Sequence, residues 1–280
     1  MSGAPGGRDA GRGPARRRHP PALKRFGQHF LSDKRILNAI VDALAPTAAD
    51  TVVEVGPGRG SLTELLAERS GRLIAVEIDR ALAAQLRERY AGNPRVQIVE
   101  ADFLASDPAA LAGNDFLLIG NVPYYITTPI VFKALEPPMP RRSVFLVQRE
   151  VAERMAAKAG TENYGALTVN VAVVADVEQA MTVPASAFKP PPKVESAVVR
   201  LTPRDQPLVG LESLAAFRTF VQAAFGHRRK QMVRVLRSVR GLSAEAAGDS
   251  LERVGIPPTS RPEVVTPREF AELFSLLASG

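Results

Sequence analysis

The 280-residue sequence predicts an α/β protein, a parallel sheet with crossover helices followed by an all-helical segment. Three observations carry that reading. Strand-like and helix-like patterns alternate from Asp50 to about Lys158, a glycine-rich turn (VEVGPGRGSLT, 53–63) joins the first strand to its helix, and the strand signal ends near Pro207. Apolar residues make up 45% of the chain, enough for a sizeable core, and no run approaches the roughly 18 apolar residues of a membrane helix. The absence of cysteine rules out disulfides, thiolate metal sites and thiol nucleophiles. That composition suits a soluble, cytoplasmic protein, and no metal site is expected.

In chain order, residues 1–23 are rich in Gly, Pro, Arg and Ala and lack an apolar stretch, so they read as a disordered basic tail. TVVEV (51–55) is a short buried strand, and SLTELLAERS (61–70) has helical spacing at Leu62, Leu65 and Leu66. RLIAVEI (72–78), RVQIVEA (95–101), FLLIG (116–120) and SVFLVQ (143–148) are further strands, with helices expected over 80–90 and 149–158. The segments 167–183 and 196–201 read as β-rich and able to pair antiparallel. Beyond them the patterns are helical, which sets expected domains of 24–206 and 207–280.

Charge is unevenly placed. The net +7 comprises +6 in residues 1–25 and +8 in 189–240, which leaves −7 for the remainder. A polyanion meeting one side of the molecule fits that asymmetry; solvated surface is the plainer account of either segment alone.

Gly56, Gly58 and Gly60 lie between a strand and a helix, where glycine lets the backbone turn sharply and lets a ligand approach it. Glu77 ends the second strand, 21 residues after Gly56, where a carboxylate can accept both ribose hydroxyls. Asp102, after the third strand, can accept from an adenine amino group. The plainer alternative makes both acids helix caps. An adenosine-containing cofactor is favoured, either NAD or S-adenosylmethionine, and the G-x-G-x-G spacing departs from the dinucleotide pattern.

The fourth strand runs into NVPY (121–124), which is either an ordinary turn or a rigid hydrogen-bonding notch. As a notch, the Asn121 side-chain oxygen and the Val122 carbonyl, held by Pro123, would accept both hydrogens of an exocyclic adenine amine. Its lone pair would then point at an electrophilic methyl. Tyr124 would stack on the base, which must leave its own stack to react.

KRFGQHFL (24–31), VEVGPGRGSLT, NVPYYITTP, FKPPPKVESAVVRL (188–201) and FGHRRKQM (225–232) occur in this order, and together they closely resemble the KsgA-type rRNA adenine-N6,N6-dimethyltransferases. The likeness runs from about Lys24 to the C-terminus. It implies a Rossmann-like S-adenosylmethionine-dependent methyltransferase fold, a mostly parallel seven-stranded sheet with a small C-terminal helical domain. It implies methyl transfer to two adjacent adenosines in the 3′-terminal hairpin loop of 16S rRNA, by a monomer acting during small-subunit assembly. By motif, Gln28, His29 and Leu31 lie against the methionine end of the cofactor, Gly56 and Gly58 line its site, Glu77 with Ile78 takes the ribose, and Asp102 with Phe103 the adenine. Asn121 serves both cofactor and target. Phe188 would form the second face of a sandwich around the base, opposite Tyr124, or else plug a domain junction. Lys189 and Lys193 would serve phosphates, and Arg228, Arg229 and Lys230, expected on one helix with Arg234 and Arg237, the rRNA. His29 and Tyr125 stand where the family often has Asn, and His19 and His227 have no assigned role. Alternatives are a large-subunit rRNA adenine methylase of the macrolide-resistance type, an assembly factor whose binding role dominates, and a dehydrogenase.

Overall fold

The structure is a computed structural model that describes residues 29–278; Gln28 and the basic tail lie outside the described residues. A two-residue strand β1 (Phe30–Leu31) precedes helix α1 (Lys34–Leu44), whose N-cap Asp33 accepts from the Arg35 and Ile36 amides. Leu37, Ile40, Val41 and Leu44 recur at helical spacing and bury one face of α1. There follow β2 (Thr51–Val55), α2 (Ser61–Arg69), β3 (Arg72–Glu77), α3 (Arg80–Tyr90), β4 (Val96–Glu100), α4 (Pro108–Ala112), β5 (Leu117–Asn121), α5 (Thr127–Ala134), β6 (Arg142–Gln148) and α6 (Arg149–Met155). Then come α7 (Ala166–Ala172), β7 (Ala175–Val183), β8 (Phe188–Lys189) and β9 (Ser196–Pro203), and the chain finishes in α8 (Leu214–Gly226), α9 (Met232–Arg240), α10 (Ala244–Arg253) and α11 (Pro267–Ala278).

Seven strands form one sheet in the order β4-β3-β2-β5-β6-β9-β7. The first five run parallel, and β9 and β7 are antiparallel to their neighbours. Side-chain alternation splits the core in two. Val52, Leu73, Leu117, Ile119, Val144 and Leu146 face α1 and α2, whereas Val53, Val55, Ile74, Val76, Leu118 and Phe145 face the opposite way, into the cluster that also holds the buried side of α8 to α11.

Two expectations fail here. Residues 166–172 are helix, not strand: the run LTVNV is buried on all sides, so it shows no amphipathic period, and its valines mimic a core strand. Tertiary partners hold it helical, since Tyr164 donates to the Val265 carbonyl and the Thr168 hydroxyl donates to the Arg154 carbonyl, while α7 packs on α8 and α11. Residues 228–230 are not helical either. They form the turn between α8 and α9, and of the five basic residues expected on one helix Arg234 and Arg237 alone lie on α9.

At the edge of the sheet remote from the strands' carboxyl ends, Asp50 joins three strands. Its carboxylate accepts from the Thr47 amide and hydroxyl and pairs with Arg141, and its carbonyl accepts from the Gly71 and Arg72 amides. The Asp50 carboxyl is held below its usual range, burial opposing and the Thr47 and Arg141 hydrogen bonds outweighing it. Gly71 has no room for a side chain there, because a Cβ would sit 2.3 Å from the Ala48 carbonyl oxygen. Gly71→Ala is expected to lower stability by about 1–3 kcal/mol, read as a reduced urea midpoint at unchanged m-value.

Candidate active site

A single cavity opens at the carboxyl ends of β2, β3, β4 and β5, where the strand order reverses between β2 and β5. Its wall starts at the glycine turn. Gly56 (φ +65°) and Gly58 (φ +58°) hold left-handed conformations that favour glycine, and a Cβ on Gly56 would meet open space, so a ligand can approach the backbone there. The Gly58 amide donates to Glu77 Oε2 at 2.8 Å, and the Asp79 amide to Glu77 Oε1 at 2.8 Å. Asp79, not Glu77, caps α3, accepting from Ala81 and Leu82. Glu77 is 3% exposed, and burial raises its carboxyl above the usual range against the lowering effect of those amides. A carboxylate has about four acceptor sites, so capacity remains for a ligand diol. Ile78, 52% exposed, and the buried Phe103 give the same cavity apolar walls, and Asp102 lines it while capping the 3-10 turn Phe103–Ala105 through Oδ1.

The notch residues Asn121, Pro123 and Tyr124 line the cavity beside His29 and Leu31. Asn121 Nδ2 donates to the His29 carbonyl at 3.2 Å. That bond commits the amide nitrogen and leaves Oδ1 as the acceptor. His29 Nδ1 bonds the Pro190 carbonyl at 2.9 Å, so Nδ1 carries the proton, and the imidazole stacks on Tyr124 with ring centroids 5.9 Å apart. The Tyr124 hydroxyl meets Ser196 Oγ at 2.7 Å; burial raises this phenol's pKa and the Ser196 bond opposes the rise.

Phe188 takes no part in this arrangement. It is 2% exposed and does not line the cavity, so in this conformation it offers no face to a base opposite Tyr124. The reason is the strand alternation of β8: Phe188 pairs with Leu31 and points into the core, leaving Lys189, paired with Phe30, outside. Pairing of β1 with β8 thus ties the His29–Leu31 strap to the Pro-rich loop.

Sequence reading missed Glu54, Arg59 and Phe30 as cavity residues. Glu54 did leave a signal, a carboxylate inside an otherwise apolar strand that reads as buried. Phe30 and Arg59 left none, because they meet only in three dimensions, with the guanidinium 4.1 Å from the Phe30 ring centroid.

The family described as Ribosomal RNA adenine dimethylase matches residues 22–278. The chain belongs to it. Among its relatives in this dimethylase family is the Ribosomal RNA small subunit methyltransferase A of Caldanaerobacter subterraneus subsp. tengcongensis, 41% identical over 261 residues that cover 91% of this chain and 97% of that protein. The protein of the same name from Myxococcus xanthus is 42% identical over 251 residues, covering 89% and 88%. Two solved structures are similar throughout. A dimethyladenosine transferase from Plasmodium falciparum gives TM-score 0.75 at 25% identity (90% of this chain, 98% of that one), and the 23S rRNA methyltransferase ErmE 0.71 at 30% (89% and 99%).

For a member of this dimethylase family the basic residues are unevenly available. Lys189, Lys193, Arg229 and Lys230 are exposed, while Arg228 donates to Glu263 Oε2 at 2.9 Å and to the Glu162 carbonyl at 3.2 Å.

Buried Glu54 makes stability depend on pH. Burial first, and the neighbouring Glu77 charge after it, push its carboxyl up to about 8, with Thr63 opposing. Below about 4.5 folded and unfolded chains both hold this proton, and between 4.5 and 8 only the folded chain does, so its contribution to stability is lost as pH rises through that window. Glu54→Gln is expected to flatten the decline by on the order of 1 kcal/mol per pH unit, measured by urea unfolding at pH 5 and pH 8.

Proposed function

We propose that this protein transfers methyl groups from S-adenosylmethionine to N6 of two adjacent adenosines in the 3′-terminal hairpin loop of 16S rRNA, working as a cytoplasmic monomer in small-subunit biogenesis. The observation that carries the reading is the Asn121 amide nitrogen donating to the His29 carbonyl in the cavity that Glu77 and Asp102 also line. Relatives about 40% identical bear the small-subunit name, which favours that subunit over the large one. The likeness to ErmE keeps a large-subunit target as the second reading.

The cavity suits the cofactor: a diol-binding carboxylate in Glu77, apolar walls for adenine in Ile78 and Phe103, Asp102 for its amino group, and His29, Leu31, Gly56 and Gly58 around the methionine end. S-adenosylmethionine supplies an electrophilic methyl carbon. Asn121 Oδ1 and the Val122 carbonyl accept from the adenine amine, turning its lone pair outward, and Pro123 keeps them rigid, with φ −57°. Alignment of this kind is worth several orders of magnitude in rate. Tyr124 offers its ring to the extruded base once the His29 imidazole moves off it. The helical segment 207–280, with Lys189 and Lys193 from the loop, supplies cations to the rRNA backbone.

The reading is tested by incubating the protein with labelled cofactor and undermethylated small or large subunits, then mapping the modified nucleotide. Small-subunit adenosines are expected, and label confined to the large subunit would refute the reading. Asn121→Ala should lose at least about a hundredfold in methyl transfer while cofactor affinity, from equilibrium titration, stays within a few-fold. Replacing Arg229, Lys230 and Arg234 with Ala should reduce the slope of log affinity against log salt by roughly one per lost phosphate contact. Arg228→Ala, already committed to Glu263 and Glu162, should change that slope least.

A further inference from the structure

One ionisable group in the cavity is left without a task. Glu54 is the fourth residue of β2; it is 1% exposed and lines the same cavity as Glu77 and Asp102. Its Oε2 has no hydrogen-bond partner among the described residues. The groups facing it are Thr63 on α2, the Glu77 carboxyl on β3 and the Tyr90 phenol on α3, whose own hydroxyl is also buried without a partner. His29 from the strap, Arg59 from the glycine turn, and Tyr124 and Tyr125 after β5 complete the charged and titratable lining.

A lone carboxylate removed from water is costly and keeps its proton instead. Two carboxyls in one cavity sharpen this, since Glu77 already has two backbone amides to favour its charged form, whereas neither Glu54 Oε2 nor the Thr63 hydroxyl has a hydrogen-bond partner among the described residues. We propose that Glu54 is a proton-linked counter-charge for the cofactor, a neutral acid before binding that gives its proton to solvent when a sulfonium-bearing ligand enters. This rests on the S-adenosylmethionine reading above. In that step the Glu54 O–H bond breaks, the proton passes to the buffer, and the carboxylate left behind faces the ligand's positive charge; nothing is oxidised or reduced.

Burial pushes this carboxyl up to about 8, so at neutral pH most molecules have the proton to release. The anionic form favours the charged sulfonium donor over the neutral thioether product. Affinity for the donor therefore rises with pH, by up to about tenfold per unit below 8, and affinity for the thioether rises less. Glu54 thus helps the site let go of spent cofactor.

Titration calorimetry of the full chain with S-adenosylmethionine and with S-adenosylhomocysteine, at pH 7 in two buffers of different ionisation enthalpy, counts the protons released. Both ligands carry the same amino and carboxyl groups, so the difference between them isolates the sulfonium. The expected result is distinctly more proton release with S-adenosylmethionine, approaching one per site, and no such difference in Glu54→Gln. Should that variant fail to fold, the wild-type protein alone suffices: the ratio of the two affinities should rise about tenfold or more from pH 6 to pH 8. Equal proton counts for the two ligands, a pH-independent affinity ratio, or a Glu54→Gln protein that keeps the difference would overturn the proposal. Binding of neither ligand would overturn the cofactor reading and this proposal with it.

Discussion

Between β2 and β5 the sheet changes the direction in which its connections run, and everything functional in this protein follows from the crevice that results. Crossovers from β2 lead outward through β3 to β4, whereas β5 leads the other way to β6, so no connection covers the gap between them. Backbone amides and side chains at the carboxyl ends of four strands therefore point at one space. The glycine turn after β2, Glu77 at the end of β3, Asp102 after β4 and Asn121 at the end of β5 are separated widely in sequence yet share a rim. Parallel pairing sets their heights, since the registers Val55 with Val76 and Val55 with Gly120 align the strand ends before any side chain is chosen.

The crevice concentrates acidic groups, which is unusual for a site facing a polyanion. Three acids, Glu54, Glu77 and Asp102, line it against one guanidinium, Arg59, while the basic residues Lys189, Lys193, Arg229 and Lys230 lie outside. The separation divides labour by charge: the interior suits a cation, and the outer surface suits phosphates. Burial keeps the interior carboxyls from simply repelling one another, because raised proton affinity lets one of them stay neutral.

Much of this was legible beforehand, and the failures share a cause. Strand β2 and helix α3 fall at the expected residues because short apolar runs, turn residues and an Asp N-cap are local signals. Glu77, Asp102 and Asn121 were found because strand ends can be counted. Helix α7 was misread because residues buried all round carry no periodicity, and β1 and β8 were missed because two residues make no pattern at all. Phe188 left two readings open for the same reason: only its pairing with Leu31 decides which way its ring points. Residues 228–230 read as helix because basic side chains suit an exposed turn equally well. What sequence showed was chemistry at the ends of local elements, and what it hid was partnership between distant ones.

The small ladder of β1 with β8 has a consequence for how the protein comes into being. Phe30 and Leu31 leave the translating ribosome early, but their partners, Lys189 and Phe188, follow only after nearly the whole sheet. The strap has nothing to clasp during that interval, and the His29 carbonyl has no fixed position from which to orient Asn121. A growing chain that ends before the Pro-rich loop holds each strand of the crevice without its closure. The crevice is thereby complete only in molecules whose synthesis is well advanced.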